Sequence, residues 1–385
     1  MRAPETISLP RIVFNGFRSP RQRYVTLLSN TYPNYRAIRL QIVIPAMSTP
    51  MRKAVITGYG DPSNIKVIDA EISAPARNEV QVDIIVAGFS GADINMRLGR
   101  YPSQLPPPLT PGYCFVGRVR KNGPGSSVYK QGDLVAALTK YDSDAEIINV
   151  PEKFVVPVPE GVPHDEVAGL VLDWSTAYAM VVRVAKVSKG QRVFIHGLSG
   201  AVGYATMILS QRQGATVYGT ASERNHAALR ELGATPFVYT NKNWIGEVNK
   251  IGGVHAAFDA LGLESFDESY SILSSKESSI LVGYGANLDA LGGSKARSAV
   301  TSVLKLYARN LAIWSKKSAA FYLITRDDKN YLPDLRTLIS LLKGGQIKVP
   351  IKKTWDLEDI RSAHENWSSA SGMGCIVIHV KKDEA

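Results

Sequence analysis

The chain has 385 residues, 45% of them apolar and 21% charged, and a formal net charge of +11. That length exceeds one ordinary core and points to two domains, while the composition excludes a disordered or fibrous chain. Two cysteines, Cys114 and Cys375, exclude a disulfide framework and a cysteine zinc site.

Residues 1–46 hold seven arginines, no lysine and one acid, Glu5, and so supply +6 of the net charge. This composition is that of a mitochondrial presequence, but Pro10, Pro20, Pro33 and Pro45 would break an amphipathic helix. The run from Met47 through Ala54 reads equally as a natural start, with an upstream start codon behind it. Either origin predicts a poorly ordered extension without chemistry. The expected location is cytoplasmic, or mitochondrial if the presequence is genuine. The modest positive excess of the body suits an anionic cofactor or an acyl thioester and gives no reason to expect nucleic acid.

From Lys53 the pattern is one of short strands broken by glycine and proline, at residues 80–86, 115–119 and 134–138. It reads as a compact β-barrel-like domain. The most apolar stretch, residues 167–184, contains Asp173 and Arg183, so no membrane span is expected. Beyond it strands and helices alternate, with strands predicted at 193–196, 216–220, 256–259 and 279–284. Apolar strands with helical crossovers imply a parallel, doubly wound sheet. The tail adds a helix at 331–343, a helix opened by Asp356 and running through Asn366, and a last strand at 375–380.

The most informative stretch is Val193-Phe-Ile-His-Gly-Leu-Ser-Gly-Ala-Val-Gly203. A buried strand runs into Gly197, Gly200 and Gly203, and an apolar helical pattern follows. Strand, glycine turn and helix bring a backbone close to a dinucleotide's diphosphate. Gly197, Ser199, Gly200, Ala201, Val202 and Gly203 are the candidate contacts, with the diphosphate over the amides between Ile195 and Ala201. The next strand ends Gly219-Thr-Ala-Ser222, followed by Glu223-Arg224, and lacks the acid that binds an unphosphorylated ribose. Ser222 and Arg224 suit a 2′-phosphate, so NADPH is favoured over NADH. Glu223 argues the other way.

These motifs resemble the medium-chain dehydrogenase/reductase superfamily, in its zinc-free quinone oxidoreductase branch with the vesicle amine transport protein relatives. The resemblance runs from Met51 to Val380. It rests on Gly88-Phe-Ser-Gly-Ala-Asp93, Arg97-Leu-Gly-Arg-Tyr101, Thr110-Pro-Gly112, Gly132-Asp133, Pro159-Glu-Gly-Val162, Thr176-Ala-Tyr178, the glycine turn, Leu232-Gly-Ala234 and Val282-Gly-Tyr-Gly285. It implies a Rossmann-type doubly wound domain at 173–310 and a GroES-like β-barrel-type catalytic domain at 51–172 and 311–385. It also implies a homodimer, a substrate cleft beside the nicotinamide, and further cofactor contacts at Thr176, Gly283 and Tyr284. Where zinc-containing relatives place ligands, this chain has Ser90, Tyr113 and Leu172, so no metal is expected. The family's lysine for the 2′-phosphate falls on Asn225. Its tyrosine falls on Thr240, which makes Tyr239 a candidate one place early.

The implied chemistry is hydride addition to the β-carbon of a conjugated carbonyl, with a hydrogen-bond donor at the carbonyl oxygen. Tyr101 is the candidate donor, with Ser90 second; Trp314 and Phe321 are candidates to line the pocket. The expected substrate is a quinone, an enone or an enoyl thioester. A protein that binds NADPH without turnover is the alternative.

Overall fold

The computed structural model describes residues 48–101, 104–291, 297 and 300–381, and the backbone of three strands in the first 47 residues. Those strands, Arg11–Phe14, Arg23–Leu28 and Arg39–Ile42, form an antiparallel sheet. Where the sequence predicts a featureless extension, these segments are therefore strands. They belong to a small unit of Met1–Thr49 with Ile72–Ala74; the second unit is Pro50–Glu71 with Pro75–Ala385.

Within the large unit, six parallel strands form one sheet: Arg192–His196, Thr216–Ala221, Ala234–Val238, Ala256–Asp259, Ser279–Gly283 and Lys317–Phe321. Counted in chain order, they lie 3-2-1-4-5-6 across the sheet. The order reverses beside Arg192–His196, and a doubly wound sheet opens its ligand crevice at that point. Val193, Phe194 and Ile195 are fully buried, and Phe194 stacks on Trp244 with centroids 4.7 Å apart. The periodicity misses two strands, both at the sheet edges. Ala234–Val238 contains Pro236, which only an edge strand tolerates. Lys317–Phe321 is half exposed and lies past residue 310, where the expected boundary ended this domain.

A second, mostly antiparallel sheet has seven strands. Glu79–Phe89 lies at its centre, paired with Cys114–Asn122, Ile147–Pro151 and the late strand Cys375–His379. Ile351–Asp356 then pairs parallel with Cys375–His379. The end of the chain thus completes a sheet that the first third begins.

Joining the sheets is a helical span, His164–Val184, long and apolar enough to cross a membrane by length and composition. Most of it is buried inside the protein as a core helix. Two π-helical stretches, Leu170–Trp174 and Ala179–Val184, widen it. Such widening re-aims side chains and is frequent at functional sites.

Candidate active site

One cavity of about 350 Å³ is lined by both sheets and by the widened helix. At the glycine turn, Gly197 adopts φ +72°, and a Cβ on Gly203 would lie 2.1 Å from the Gly197 carbonyl oxygen. Only glycine permits that approach, which seats the Ala201–Arg212 helix against the strand tip.

The anion seat differs in detail from the sequence expectation. The Gly197 amide donates to Thr220 Oγ1 at 3.3 Å, Leu198 N to the Thr220 carbonyl at 2.9 Å, and Gly200 N to the Gly197 carbonyl at 2.9 Å. Three of the expected donors are therefore spent on the turn itself. A parallel bridge between Gly200 and Gly374 directs the Ala201 amide at the Gly374 carbonyl; the amides of Val202 and Gly203 have no recorded acceptor among the described residues, and no side chain caps the helix. The open donors sit one step later, on the first turn of a twelve-residue helix.

Ser199, Gly200, Ala201, Val202 and Gly203 line the cavity with Gly197, and so do Ser222, Arg224, Thr176 and Tyr284. Two cofactor candidates do not. Tyr239 lies just past the edge strand, 58% exposed. Gly283 ends its strand behind the cavity, where a Cβ would collide with the Phe266 ring. The one-residue offset of Tyr239 carries it away from the cavity, and Gly283 serves packing. Trp314 is exposed on the surface and Phe321 packs against Phe266, so neither lines the cavity.

Ser90 is the N-cap of the Gly91–Arg97 helix. Its Oγ accepts from Ala92 N at 3.1 Å, and Asp93 reciprocates by accepting from Ser90 N at 2.9 Å. The Ser90 hydroxyl, which the sequence offers as a second donor, turns its own proton to Asp93 Oδ2 at 3.5 Å within this capping box. Tyr101 follows the same helix and faces the cavity, its ring edge-on to Tyr113 at 6.2 Å. Burial and the nearby Asp93 push the Tyr101 phenol above its ordinary pKa, against hydrogen bonds from Tyr113 and Asn95.

Sequence reasoning missed two cavity groups. Asp173, on the first π-stretch, is buried, and burial raises its carboxyl to about 7 despite the Cys375 thiol and Lys352. An acid inside the apolar run 170–174 was the available signal. Lys352 gave none, because it reads as one of two adjacent strand lysines. His196 is buried at the strand tip, its ring nitrogens 3.0 Å from Thr220 Oγ1 and 3.1 Å from Ser269 Oγ. Ser269 Oγ in turn donates to Asp259 at 2.7 Å. Burial lowers the pKa of His196, which keeps the ring neutral and makes it a brace between strand tips.

The positions of the zinc ligands do not fit a metal. Ser90 is a helix cap, Tyr113 is a half-buried phenol whose pKa desolvation raises, and Leu172 carries no donor. Among the described residues no group of three or more His, Cys, Asp or Glu side chains is placed to hold one.

Two family models match the chain: the alcohol dehydrogenase GroES-like domain over residues 76–160, and zinc-binding dehydrogenase over residues 232–378. The chain belongs to the medium-chain dehydrogenase/reductase superfamily. Within it the chain falls in the quinone oxidoreductase and VAT-1-like branch. It is 28% identical over 343 residues to the human synaptic vesicle membrane protein VAT-1 homolog, covering 85% of this chain and 86% of that protein. The quinone oxidoreductase from Coxiella burnetii shares its fold with a TM-score of 0.74 at 21% identity, over 86% of this chain and all of that one. The apo JamJ enoyl reductase does so with a TM-score of 0.74 at 23% identity, over 86% of this chain and 99% of the other. The superfamily's two parts, a GroES-like sheet and a Rossmann-like parallel sheet, are the two sheets described above.

Proposed function

We propose that this member of the superfamily is an NADPH-dependent reductase of quinones or of the C=C bond of α,β-unsaturated carbonyls, working without zinc. The observation that carries the reading is a single cavity holding both the bare N-terminus of the Ala201–Arg212 helix and the Tyr101 hydroxyl. The open amides of Val202 and Gly203 would hold the diphosphate, and Ser222 and Arg224 the 2′-phosphate. Bound there, the nicotinamide would supply hydride.

Reduction of a conjugated carbonyl moves negative charge onto its oxygen, and a hydroxyl aimed at that oxygen stabilises it without a metal. Tyr101 is suited to this role because burial keeps it protonated across the physiological range. Asn95, held by Asn287 at 2.7 Å, steadies the Tyr101 oxygen. Enoyl thioesters are substrates of the same chemical class, and the name of the JamJ relative supports including them.

The test is NADPH oxidation with panels of quinones, enones and enoyl thioesters. Tyr101→Phe should lower kcat about a hundredfold with KM little changed. Ser90→Ala should instead lower the melting temperature through loss of a helix cap worth about 1 kcal/mol, with a smaller effect on rate. Tight NADPH binding without turnover on any panel would favour a non-catalytic binding protein. Equal rates for Tyr101→Phe and wild type would remove Tyr101 from the mechanism.

A second copy of the chain is the proposed partner. Lys317–Phe321 is an open sheet edge, flanked by Leu304, Leu311, Ile313 and Trp314. Ile313 and Trp314 are 88% and 85% exposed. An uncovered edge beside exposed apolar side chains suits isologous pairing about a two-fold axis.

A further inference from the structure

Lys352 occupies an unusual place in its strand. Ile351 pairs with Cys375 and Lys353 with Ile376, so Lys352 is an extra residue at a slip of register. A slip of this kind breaks the alternation of faces and re-aims the side chain. Here it delivers Lys352 to the wall of the dinucleotide cavity.

The surroundings of the ammonium define its task. No hydrogen bond or ion pair is recorded for it among the described residues, and burial lowers its pKa. Cys375 and Asp173 favour its charged form, and Arg224 opposes it. Its Cβ lies 3.5 Å from where a Cβ on Gly372 would stand. The Gly372 carbonyl accepts from Asn225 Nδ2 at 3.5 Å, and Gly374 N donates to the Ser199 carbonyl at 3.1 Å. Lys352 is therefore placed where the Gly372–Gly374 segment meets the glycine turn, on the wall of the cavity that Arg224 and Asp173 also line.

We propose that Lys352 is the countercharge of the dinucleotide's diphosphate, carried to it from the GroES-like sheet by the register slip. The inference rests on the cofactor reading above and adds to it a cation that the glycine turn does not supply. Backbone amides bind a diphosphate by partial charges alone, and an ammonium adds a full charge and a charge-assisted hydrogen bond. A partly buried ammonium without a partner costs stability in the free protein, and the bound anion removes that cost.

The experiment titrates NADPH and NADH separately into the full chain and its variants, and records thermal unfolding of each without nucleotide. Both cofactors share the diphosphate, and only NADPH has the 2′-phosphate. Lys352→Met should weaken both by about tenfold or more and to the same extent, whereas Lys352→Arg should retain most of the affinity. Without nucleotide, Lys352→Met should melt at or above wild type. Arg224→Ala should weaken NADPH and leave NADH nearly unchanged. Equal affinity of wild type and Lys352→Met for both cofactors overturns the proposal. So does a loss confined to NADPH, which assigns Lys352 to the 2′-phosphate. A lowered melting temperature in both Lys352 variants, with affinity lost in step, makes the role structural and also overturns it. Failure of the wild type to bind either cofactor defeats the cofactor reading itself, a result distinct from all of these.

Discussion

Replacing Asp173 with asparagine should change how stability depends on pH. Asp173 is buried at the cavity wall, and burial lifts its carboxyl from an ordinary 3.8 to about 7. A carboxyl whose pKa is raised on folding binds its proton more tightly in the folded state. Its contribution is fully present below pH 4, declines as pH rises, and is gone above pH 7. The shift is about 3 units at about 1.4 kcal/mol each, so about 4 kcal/mol of stability is lost between those limits. A carboxamide at this position has no proton to lose, so the variant is spared that decline. The assay is urea unfolding of wild type and Asp173→Asn from pH 5 to pH 8.5. Stability of the variant minus that of wild type should climb by about 1.4 kcal/mol per pH unit up to pH 7, then level off. Taking this difference cancels the titrating groups that do not feel Asp173; Asp93, Lys352 and Cys375 do feel it and add to the difference. Parallel profiles across pH 5 to 7 would show that Asp173 keeps an ordinary pKa, and the argument from burial would fail.

Gly203→Ala forces a Cβ into the space 2.1 Å from the Gly197 carbonyl oxygen. The helix must retreat, so NADPH affinity should fall at least about tenfold, with about 1–3 kcal/mol of stability lost to overpacking; fluorescence titration and thermal unfolding measure both, and unchanged affinity would refute the seat described here. Trp314→Glu together with Ile313→Glu should convert a dimer to a monomer in sedimentation velocity, and a wild type that sediments as a monomer would refute the proposed pairing.

The sequence reading succeeded where burial and period agree. The interior strands Arg192–His196 and Ala256–Asp259 are apolar because helices cover both faces, and the helix Tyr331–Lys343 shows a regular apolar stripe. It failed at edges, where Ala234–Val238 and Lys317–Phe321 have only one neighbouring strand and a weaker demand for apolar residues. Most of the candidate site was legible because a glycine turn is a steric requirement written into residue identity. Lys352 was not, because a register slip depends on what the partner strand does at Cys375 and Ile376. Ser90 was half legible: its place was found, but its commitment to the cap required the geometry of Asp93.

The interleaving of the large unit constrains its biogenesis. Glu79–Phe89 leaves the ribosome early, yet its neighbour Cys375–His379 follows almost three hundred residues later. Until then the Val86–Phe89 end waits with one side unpaired, since Ile147–Pro151 covers only Glu79–Asp83, a hazard of aggregation that a chaperone would have to shield. The parallel sheet faces no such delay, since its strands emerge in one block. A nascent chain halted before residue 351 would therefore carry a nearly finished nucleotide fold without the lysine proposed to close over it.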